Sequence, residues 1–146
     1  MTWASGKSRS PKPDSWTLFS GHYDGHPLVG RLNKGVQSLV GSPTHNIRVG
    51  IAVPVHAPDK NGFPQAGELD QLAAFEDGLI ERTRDEAVLV GVITTRSMRE
   101  FVLYTGSDDW IPAAHADLIA LLPTHEVQMV AESDPSWSVY RGFVEA

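Results

Sequence analysis

The sequence predicts an α+β domain in which two helices cover one face of an antiparallel sheet. From residue 46 on, strand-like and helix-like apolar patterns follow one another in the order β-α-β-β-α-β. Residues 134–143 then combine a capping aspartate, a proline and three aromatic side chains, which is typical of an aromatic helical turn docked on a sheet. The chain has 146 residues, the length of one domain. We expect residues 15–146 to form this domain after a disordered arm at residues 1–14.

The first predicted element is an N-terminal β-hairpin. Residues 16–20 and 28–32 are strand-like and flank a turn-rich segment that contains Asp24-Gly25 and His26-Pro27. This spacing predicts a hairpin with a loop of more than two residues. The next segment, residues 35–46, is rich in Gly, Ser, Pro and Asn, so we expect a connection there.

A strand and the longest helix follow the connection. Apolar side chains alternate with small or polar ones over residues 46–55, and this period of two predicts a strand. Residues 57–64 have the composition of a loop. Residues 66–84 carry apolar side chains at helical spacing, which predicts an amphipathic helix. Its expected inner face consists of Leu69, Leu72, Ala73, Leu79 and Ile80.

The remaining elements are a second hairpin, a second helix and a last strand. Residues 87–93 and 98–104 form the predicted hairpin. Residues 111–122 form the helix, which Pro123 ends, and residues 125–132 form the last strand. The expected inner face of the second helix consists of Ile111, Ala114, Leu118, Leu121 and Leu122.

This order of elements is the split unit of a ferredoxin-like fold. Right-handed crossovers favour the spatial order 4-1-3-2 for its four strands. The strand at residues 87–93 then lies at an edge although both its faces are apolar, and bare apolar edges promote aggregation. We therefore expect a cover, either the N-terminal hairpin or, as the second choice, another subunit. Gly50 and Ala52 would allow such a subunit to approach the sheet face that carries no helices.

Composition excludes several classes of protein. No apolar run approaches the ~20 residues that span a bilayer. A net charge of −6 without clustered Lys and Arg argues against general nucleic-acid binding. The chain has no cysteine, and therefore no disulfide and no cysteine-based zinc site. The basic residues near the N-terminus precede no apolar stretch, so we expect no secretory signal and a cytoplasmic protein, monomeric or homodimeric.

His22, Asp24 and His26 occupy alternate positions and are the candidate metal ligands of the sequence. In an extended chain, two imidazoles and a carboxylate at this spacing point the same way, as ligation of a metal requires. Asp24-Gly25 and His26-Pro27 are also turn formers, however, and a turn separates these side chains, so an exposed loop is the favoured interpretation. The other four histidines show no ligand spacing. The sequence predicts no cofactor.

Glu76 lies close to the apolar stripe of the first helix, where a carboxylate needs a partner. Arg99, Arg96 and the Tyr104 hydroxyl are the expected partners. Arg99 and Glu100 lie on opposite faces of their strand, which argues against an acid/base pair. Structural pairing of Glu76 is favoured over ligand binding, and ligand binding over catalysis.

The C-terminal turn carries the remaining binding candidates. Asp134 is expected to cap this turn and Pro135 to begin it, so that Trp137, Tyr140 and Phe143 reach one face. We expect Trp137 and Tyr140 to dock the turn on the sheet, with contact to a partner protein as the alternative.

Several fragments stand in a recognisable order, namely Trp16, residues 61–64, residues 72–77, residues 90–95, residues 99–101 with Tyr104, and residues 134–137 with Tyr140. In this order they resemble a bacterial family of unknown function, the domain of unknown function numbered 695, over about residues 16–143. That family is similar in organisation to the regulator of ribonuclease activity B, an inhibitor that binds ribonuclease E. The resemblance therefore implies a protein-binding role and brings no catalytic residues. Two features depart from it: those regulators are more acidic, and the basic N-terminal arm matches neither pattern.

No Gly-rich phosphate loop, nucleophile elbow or HExxH motif is present, so no catalytic residue is predicted. The favoured hypothesis is a protein-binding regulator or accessory factor that uses the helix-free sheet face or an edge strand. The second is a small-molecule or metal-binding module built on the loops around residues 22–26 and 59–62. The third is an enzyme, with Glu76 and Arg99 as candidates.

Overall fold

The computed structural model describes residues 14–145, which form a six-stranded antiparallel sheet and three α-helices. The strands are β1 (Trp16–Tyr23), β2 (His26–Asn33), β3 (Ile47–Pro54), β4 (Ala87–Thr95), β5 (Met98–Thr105) and β6 (Gln128–Ser133). The helices are α1 (Ala66–Thr83), α2 (Ile111–Leu121) and α3 (Ser138–Val144). Two short 3-10 helices, Lys34–Leu39 and Pro43–His45, lie in the predicted connection. No helix in this part of the chain is long and apolar enough to cross a membrane.

The predicted N-terminal arm lies almost wholly outside the described residues, so the arm at residues 1–13 stays a prediction. Asp14 is part of the fold, because its carboxylate accepts a hydrogen bond from the Asn33 side chain at 3.0 Å. Asn33 in turn accepts a hydrogen bond from the Ser15 amide at 3.1 Å. The described fold therefore includes Asp14.

The hairpin of β1 and β2 has a tighter turn than predicted. Tyr23 pairs with His26, so Asp24 and Gly25 alone form the loop, with φ values of 53° and 80°. Positive φ at both central residues is typical of a type I′ turn, which Asp-Gly favours and whose twist matches that of paired strands. The predicted longer loop is wrong because His26 and Pro27 begin β2 instead of extending the turn.

The hairpin extends the sheet beside β4. The strand order is β1-β2-β4-β5-β3-β6, and its last four strands follow the spatial order predicted for the segment after residue 46. β2 pairs with β4 over five residues, from Leu28 opposite Thr95 to Leu32 opposite Gly91. β4 is therefore an internal strand, and the N-terminal hairpin provides the cover that we expected for its apolar edge.

The first core layer lies between the sheet and the two long helices. It includes Val49, Ile51 and Val53 of β3, Leu72, Phe75 and Leu79 of α1, Phe101 and Leu103 of β5, and Trp110, Ala114, Leu118 and Leu122 of the α2 region. Leu69, Ile80 and Leu121 were predicted on inner faces but are 43%, 42% and 47% exposed. For α1 the prediction is wrong because the buried stripe centres on Leu79 and Leu72. At about 100° per residue, Leu69 and Ile80 lie roughly 80° and 100° around the axis from that centre.

A bulge in β4 decides which of its side chains reach each layer. Leu89 pairs with Leu103 and Gly91 with Val102, so Val90 is the extra residue of the bulge. The extra residue shifts the alternation of the strand. Val92 consequently faces the first core layer, whereas Val90 faces the second.

A helix also packs on the second sheet face, so the predicted helix-free face is wrong, although Val130 of β6 on that face is 55% exposed. The 3-10 helix Lys34–Leu39 and α3 pack on it around Leu32, Val36, Leu39, Val90, Ile93, Val102, Tyr104, Trp137 and Tyr140. Gly50 is covered by side chains of its own chain, because a Cβ there would meet Glu100 Oε2 at 2.9 Å and Arg48 Nη1 at 3.2 Å. The close approach of a second subunit at Gly50 therefore has no open surface to use.

Candidate functional sites

A buried aromatic cluster holds the C-terminal helix on the sheet. The Trp137 ring stacks on Tyr104 with centroids 4.0 Å apart and meets Tyr140 edge-on at 5.5 Å. The Trp137 indole donates a hydrogen bond to the His45 carbonyl at 2.7 Å, and the Tyr140 hydroxyl donates one to the Asn33 carbonyl at 2.8 Å. All three rings are buried. This burial supports the docking role predicted for Trp137 and Tyr140.

Asp134 links the aromatic cluster to the start of α3. Its carboxylate accepts hydrogen bonds from the Tyr104 hydroxyl at 2.7 Å, the Ser138 amide at 2.9 Å and the Ser138 hydroxyl at 2.8 Å. Burial raises the pKa of this carboxyl, but the hydrogen bonds outweigh burial and hold the pKa below its usual value. Burial and the bond to Asp134 raise the pKa of the Tyr104 hydroxyl. Asp134 is thus an ionised cap, and Tyr104 is its neutral donor.

The helix that Asp134 caps begins later than predicted. α3 starts at Ser138, because Trp137 adopts the left-handed conformation with φ 58° and separates Pro135 from the helix. Pro135 therefore begins a turn, which the Trp137 amide closes on the Asp134 carbonyl at 3.0 Å, but it does not begin the helix. The capping role of Asp134 is confirmed.

Glu76 pairs with an arginine, but one from β2. Arg31 Nη2 donates a hydrogen bond to the Glu76 carboxylate, and the Arg31 guanidinium lies 5.0 Å from the centre of the Trp16 ring. Arg99 instead donates to the Thr94 hydroxyl at 2.9 Å. The partners predicted from the second hairpin are wrong because β2 lies beside β4 and presents Arg31 on the face that α1 covers.

We expect Glu76→Gln to lower the free energy of unfolding by about 1 kcal/mol, because the Arg31–Glu76 pair is only partly shielded from water. Urea unfolding followed by circular dichroism measures this change. Glu81→Gln is the matched control, since Glu81 pairs with Arg84 on the exposed surface of the same helix, and should cost less than about 0.5 kcal/mol. Equal losses in the two variants would contradict a supporting role for the Arg31–Glu76 pair.

The histidines of the N-terminal hairpin do not converge. His26 pairs with Tyr23 and therefore shares its sheet face, whereas His22 occupies the opposite face. Asp24 lies in the turn between them, and all three side chains are exposed. The turn thus separates His22, Asp24 and His26, as in the interpretation that the sequence favours.

Within residues 14–145, His56, Glu68 and His125 form a group of side chains whose donor atoms lie close enough together that they could hold a metal ion. We call it the histidine–glutamate cluster. His56 follows β3, Glu68 lies in the first turn of α1, and His125 lies between α2 and β6. The donor atoms lie within 4.8 Å of one another. The two imidazole rings stack with their centroids 3.8 Å apart.

The carboxylate of Glu68 is the fixed point of this cluster. It accepts hydrogen bonds from the amides of His56 at 2.6 Å and Ala57 at 2.9 Å, and its Oε2 lies 2.6 Å from Nε2 of His125. Burial raises the pKa of Glu68, but the two amides and His125 outweigh burial and hold the pKa below its usual value. The helix dipole also favours a negative charge in the first turn of α1. Glu68 is therefore ionised at neutral pH.

Sequence patterns missed this cluster because its members lie 12 and 57 residues apart. His125 was predicted to begin the last strand, but β6 starts at Gln128 and leaves His125 buried in the preceding turn. There its Nδ1 lies 2.8 Å from the Thr124 hydroxyl. One signal was present in the sequence, since Glu68 lies one turn before Leu72 on the buried stripe of α1.

An apolar cleft lies between β1 and α3. Its volume is about 540 Å³, and its apolar lining includes Phe19, Leu28, Val139 and Phe143. β1 forms an edge of the sheet and, within the described chain, pairs with β2 alone. Leu18 and Tyr23 of this strand are 76% and 60% exposed. The cleft therefore adjoins an edge strand that carries exposed apolar side chains.

These features define a class of protein, namely a small α+β domain with an edge strand beside an apolar cleft and a histidine–glutamate cluster on a separate part of the sheet. The model of a family of unknown function (DUF695) matches residues 14–144, and the chain belongs to this family. No curated protein matches the chain.

Proposed function

We propose that this protein is a bacterial, cytoplasmic protein-binding domain, a regulator or accessory factor of ferredoxin-like type. Its partner supplies an extended segment that pairs with the edge strand β1 and places apolar side chains in the cleft beside α3. The observation that carries the proposal is the coincidence of an unblocked edge strand with an apolar cleft.

Among residues 14–145, no strand pairs with the outer side of β1. Natural edge strands usually carry charged residues, proline or a bulge that prevent another strand from adding. β1 has the sequence WTLFSGHY, which contains none of Lys, Arg, Asp, Glu or Pro. Its register with β2 runs without a shift from Trp16 to Tyr23. A partner strand can therefore gain main-chain hydrogen bonds along β1, the binding mode called β-augmentation.

The cleft supplies selectivity for side chains. Phe19 and Phe143 line it with ring centroids 6.0 Å apart, and Phe19 covers Gly30 of the neighbouring strand. Alternate side chains of a strand point to the same face. A segment paired with β1 therefore places every second side chain over the cleft, and we propose that these side chains are apolar.

Two further features shape the expected partner. The net charge of −6 favours partner segments that carry Lys or Arg outside the paired strand. The likeness to the regulator of ribonuclease activity B supports a regulatory outcome by analogy alone.

Selection from a random-peptide phage library on the immobilised protein tests this proposal, with Gly142→Gln as the decisive variant. Gly142 lines the cleft, and a Cβ there meets nothing within 4 Å. Glutamine should therefore obstruct the cleft without straining the helix, since glycine is the poorer helix former by up to about 1 kcal/mol. We expect the wild type to enrich peptides with alternating apolar residues and Gly142→Gln to bind them at least about tenfold more weakly, which is a loss of about 1.4 kcal/mol.

Gly67→Gln is the matched control, because Gly67 lies in α1 and its Cβ position is equally open. It should bind the selected peptides like the wild type. Amide chemical shifts should change in β1 and α3 when peptide binds. A library without enriched peptides, or peptides that bind Gly142→Gln as tightly as the wild type, would overturn the proposal.

A further inference from the structure

The histidine–glutamate cluster consists of a buried hydrogen-bonded pair and a third side chain that could also bind a metal ion. Glu68 and His125 satisfy each other, with side chains 6% and 2% exposed. His56 is exposed, and its amide rather than its ring contacts Glu68. Its imidazole nevertheless stacks directly on the ring of His125, at an interplanar angle of 7°. The arrangement brings an accessible third donor to a buried, ionised carboxylate.

We propose that His56, Glu68 and His125 bind a divalent transition-metal ion of the zinc type. Two imidazoles and one carboxylate are a common set of protein ligands for zinc, and three protein ligands leave a fourth position open for water or a small molecule. Imidazole nitrogen donors favour zinc and neighbouring transition metals over magnesium and calcium, which prefer oxygen. The inference does not depend on the proposed protein-binding role.

Two of the three ligands are held in place before any metal binds. The amides of His56 and Ala57 fix the Glu68 carboxylate. His125 is oriented through its other ring nitrogen, because Nδ1 contacts the Thr124 hydroxyl and Nε2 points at Glu68. A hydrogen bond to the distal nitrogen of a ligating histidine is the usual support around a metal site. These contacts lower the cost of assembling the site.

The third ligand completes the site by moving. Zinc bond lengths near 2.1 Å place neighbouring ligand atoms about 3.4 Å apart at a tetrahedral angle. The Glu68–His125 pair therefore widens from 2.6 Å on binding, and the donor atom of His56 adjusts from within the 4.8 Å limit of the cluster. His56 is exposed, so its ring can turn from the stacked position toward the metal. On binding, the metal takes the place of the proton shared between His125 Nε2 and Glu68 Oε2. His125 then carries its ring proton on Nδ1, where it donates to the Thr124 hydroxyl, and any second ring proton leaves to solvent.

The site is separate from the apolar cleft. His56 follows β3, whereas the cleft adjoins β1, and three strands lie between β3 and β1 in the sheet. Loss of metal binding and loss of peptide binding are therefore distinguishable by variants at different positions.

Isothermal titration of the full-length, tag-free protein with zinc chloride, after removal of bound metal with EDTA and dialysis, tests the proposal. We expect one zinc ion per chain, and magnesium chloride should give no comparable heat. His56→Ala is the decisive variant, because His56 is exposed and its ring makes no hydrogen bond to another residue of the described chain. It should bind zinc at least about tenfold more weakly.

His22→Ala is the matched control, since His22 is also exposed but lies in β1. It should bind zinc like the wild type. Nitrogen-15 spectra of the imidazoles supply a second measurement, because zinc should shift the ring nitrogens of His56 and His125 together. Absence of a saturable site, equal affinity in His56→Ala, or loss of affinity in His22→Ala would each overturn the proposal.

Discussion

Replacing Trp137 with alanine should lower the free energy of unfolding by about 3–5 kcal/mol, the range for removal of a large buried aromatic side chain. The Trp137 ring is fully buried between Tyr104 and Tyr140. Its indole also satisfies the His45 carbonyl, 92 residues away in sequence. Alanine leaves a cavity and an unpaired carbonyl at the contact that joins α3 to the sheet.

Urea unfolding followed by circular dichroism measures this loss. The variant Trp137→Phe separates the contribution of ring packing from that of the indole hydrogen bond. Phenylalanine keeps most of the ring volume and can stack on Tyr104, but it leaves the His45 carbonyl without the indole N–H. We expect an intermediate cost of about 1–2 kcal/mol. Neither substitution removes the backbone strain at residue 137, because alanine and phenylalanine both keep a Cβ at the positive φ of this position.

Tyr23→Ala is the aromatic control, since Tyr23 is 60% exposed and should change stability by less than about 0.5 kcal/mol. A loss below about 1 kcal/mol in Trp137→Ala would mean that the ring is exposed in solution and that α3 is free to bind a partner. Because α3 forms one wall of the cleft, Trp137→Ala should also abolish peptide binding, whereas Trp137→Phe should retain it.

The elements and their alternation were predictable because they depend on local patterns. The period of two in β5 correctly placed Arg99 with Phe101 and Leu103, and Glu100 with Val102 and Tyr104. The capping role of Asp134 was predictable for the same reason, because the amides that it accepts from, those of Ser138 and Val139, lie only four and five residues further along the chain. The need for a cover on the apolar strand β4 was also predictable, and the N-terminal hairpin was the favoured of the two covers considered.

The contacts that depend on which elements become neighbours were not predictable. Arg31 became the partner of Glu76 only because β2 lies beside β4. His56 and His125 met because the end of β3 and the turn before β6 reach the same end of α1, although no spacing in the sequence relates them. The bulge between Leu89 and Gly91 is a third case, because it reverses the faces of β4, whereas residues 87–93 were predicted as a regular strand.

Replacing Glu68 with alanine should lower the free energy of unfolding by about 3 kcal/mol at neutral pH. The change leaves the amides of His56 and Ala57 and Nε2 of His125 without their acceptor, and an unsatisfied buried polar group costs about 1–3 kcal/mol. Water reaches the cluster beside the exposed His56 side chain, so the three unsatisfied groups together cost less than the sum of their separate penalties. Glu68→Gln keeps one acceptor oxygen and should lose about half as much. The control Glu126→Ala, at an exposed side chain near His125, should lose less than about 0.5 kcal/mol.

The pH dependence identifies the carboxylate as the source of this loss. The folded pKa of Glu68 is depressed below its reference of 4.5, so its contribution is fully present above that pH and disappears as pH falls through the folded pKa. The difference in stability between wild type and Glu68→Ala should therefore shrink as the pH falls below 4.5. Asp134 titrates with the same sign but is present in both proteins, so its contribution cancels. Urea unfolding in EDTA, which removes any contribution from bound metal, measures the difference, and a gap that widens on acidification would mean that Glu68 is protonated in the folded protein.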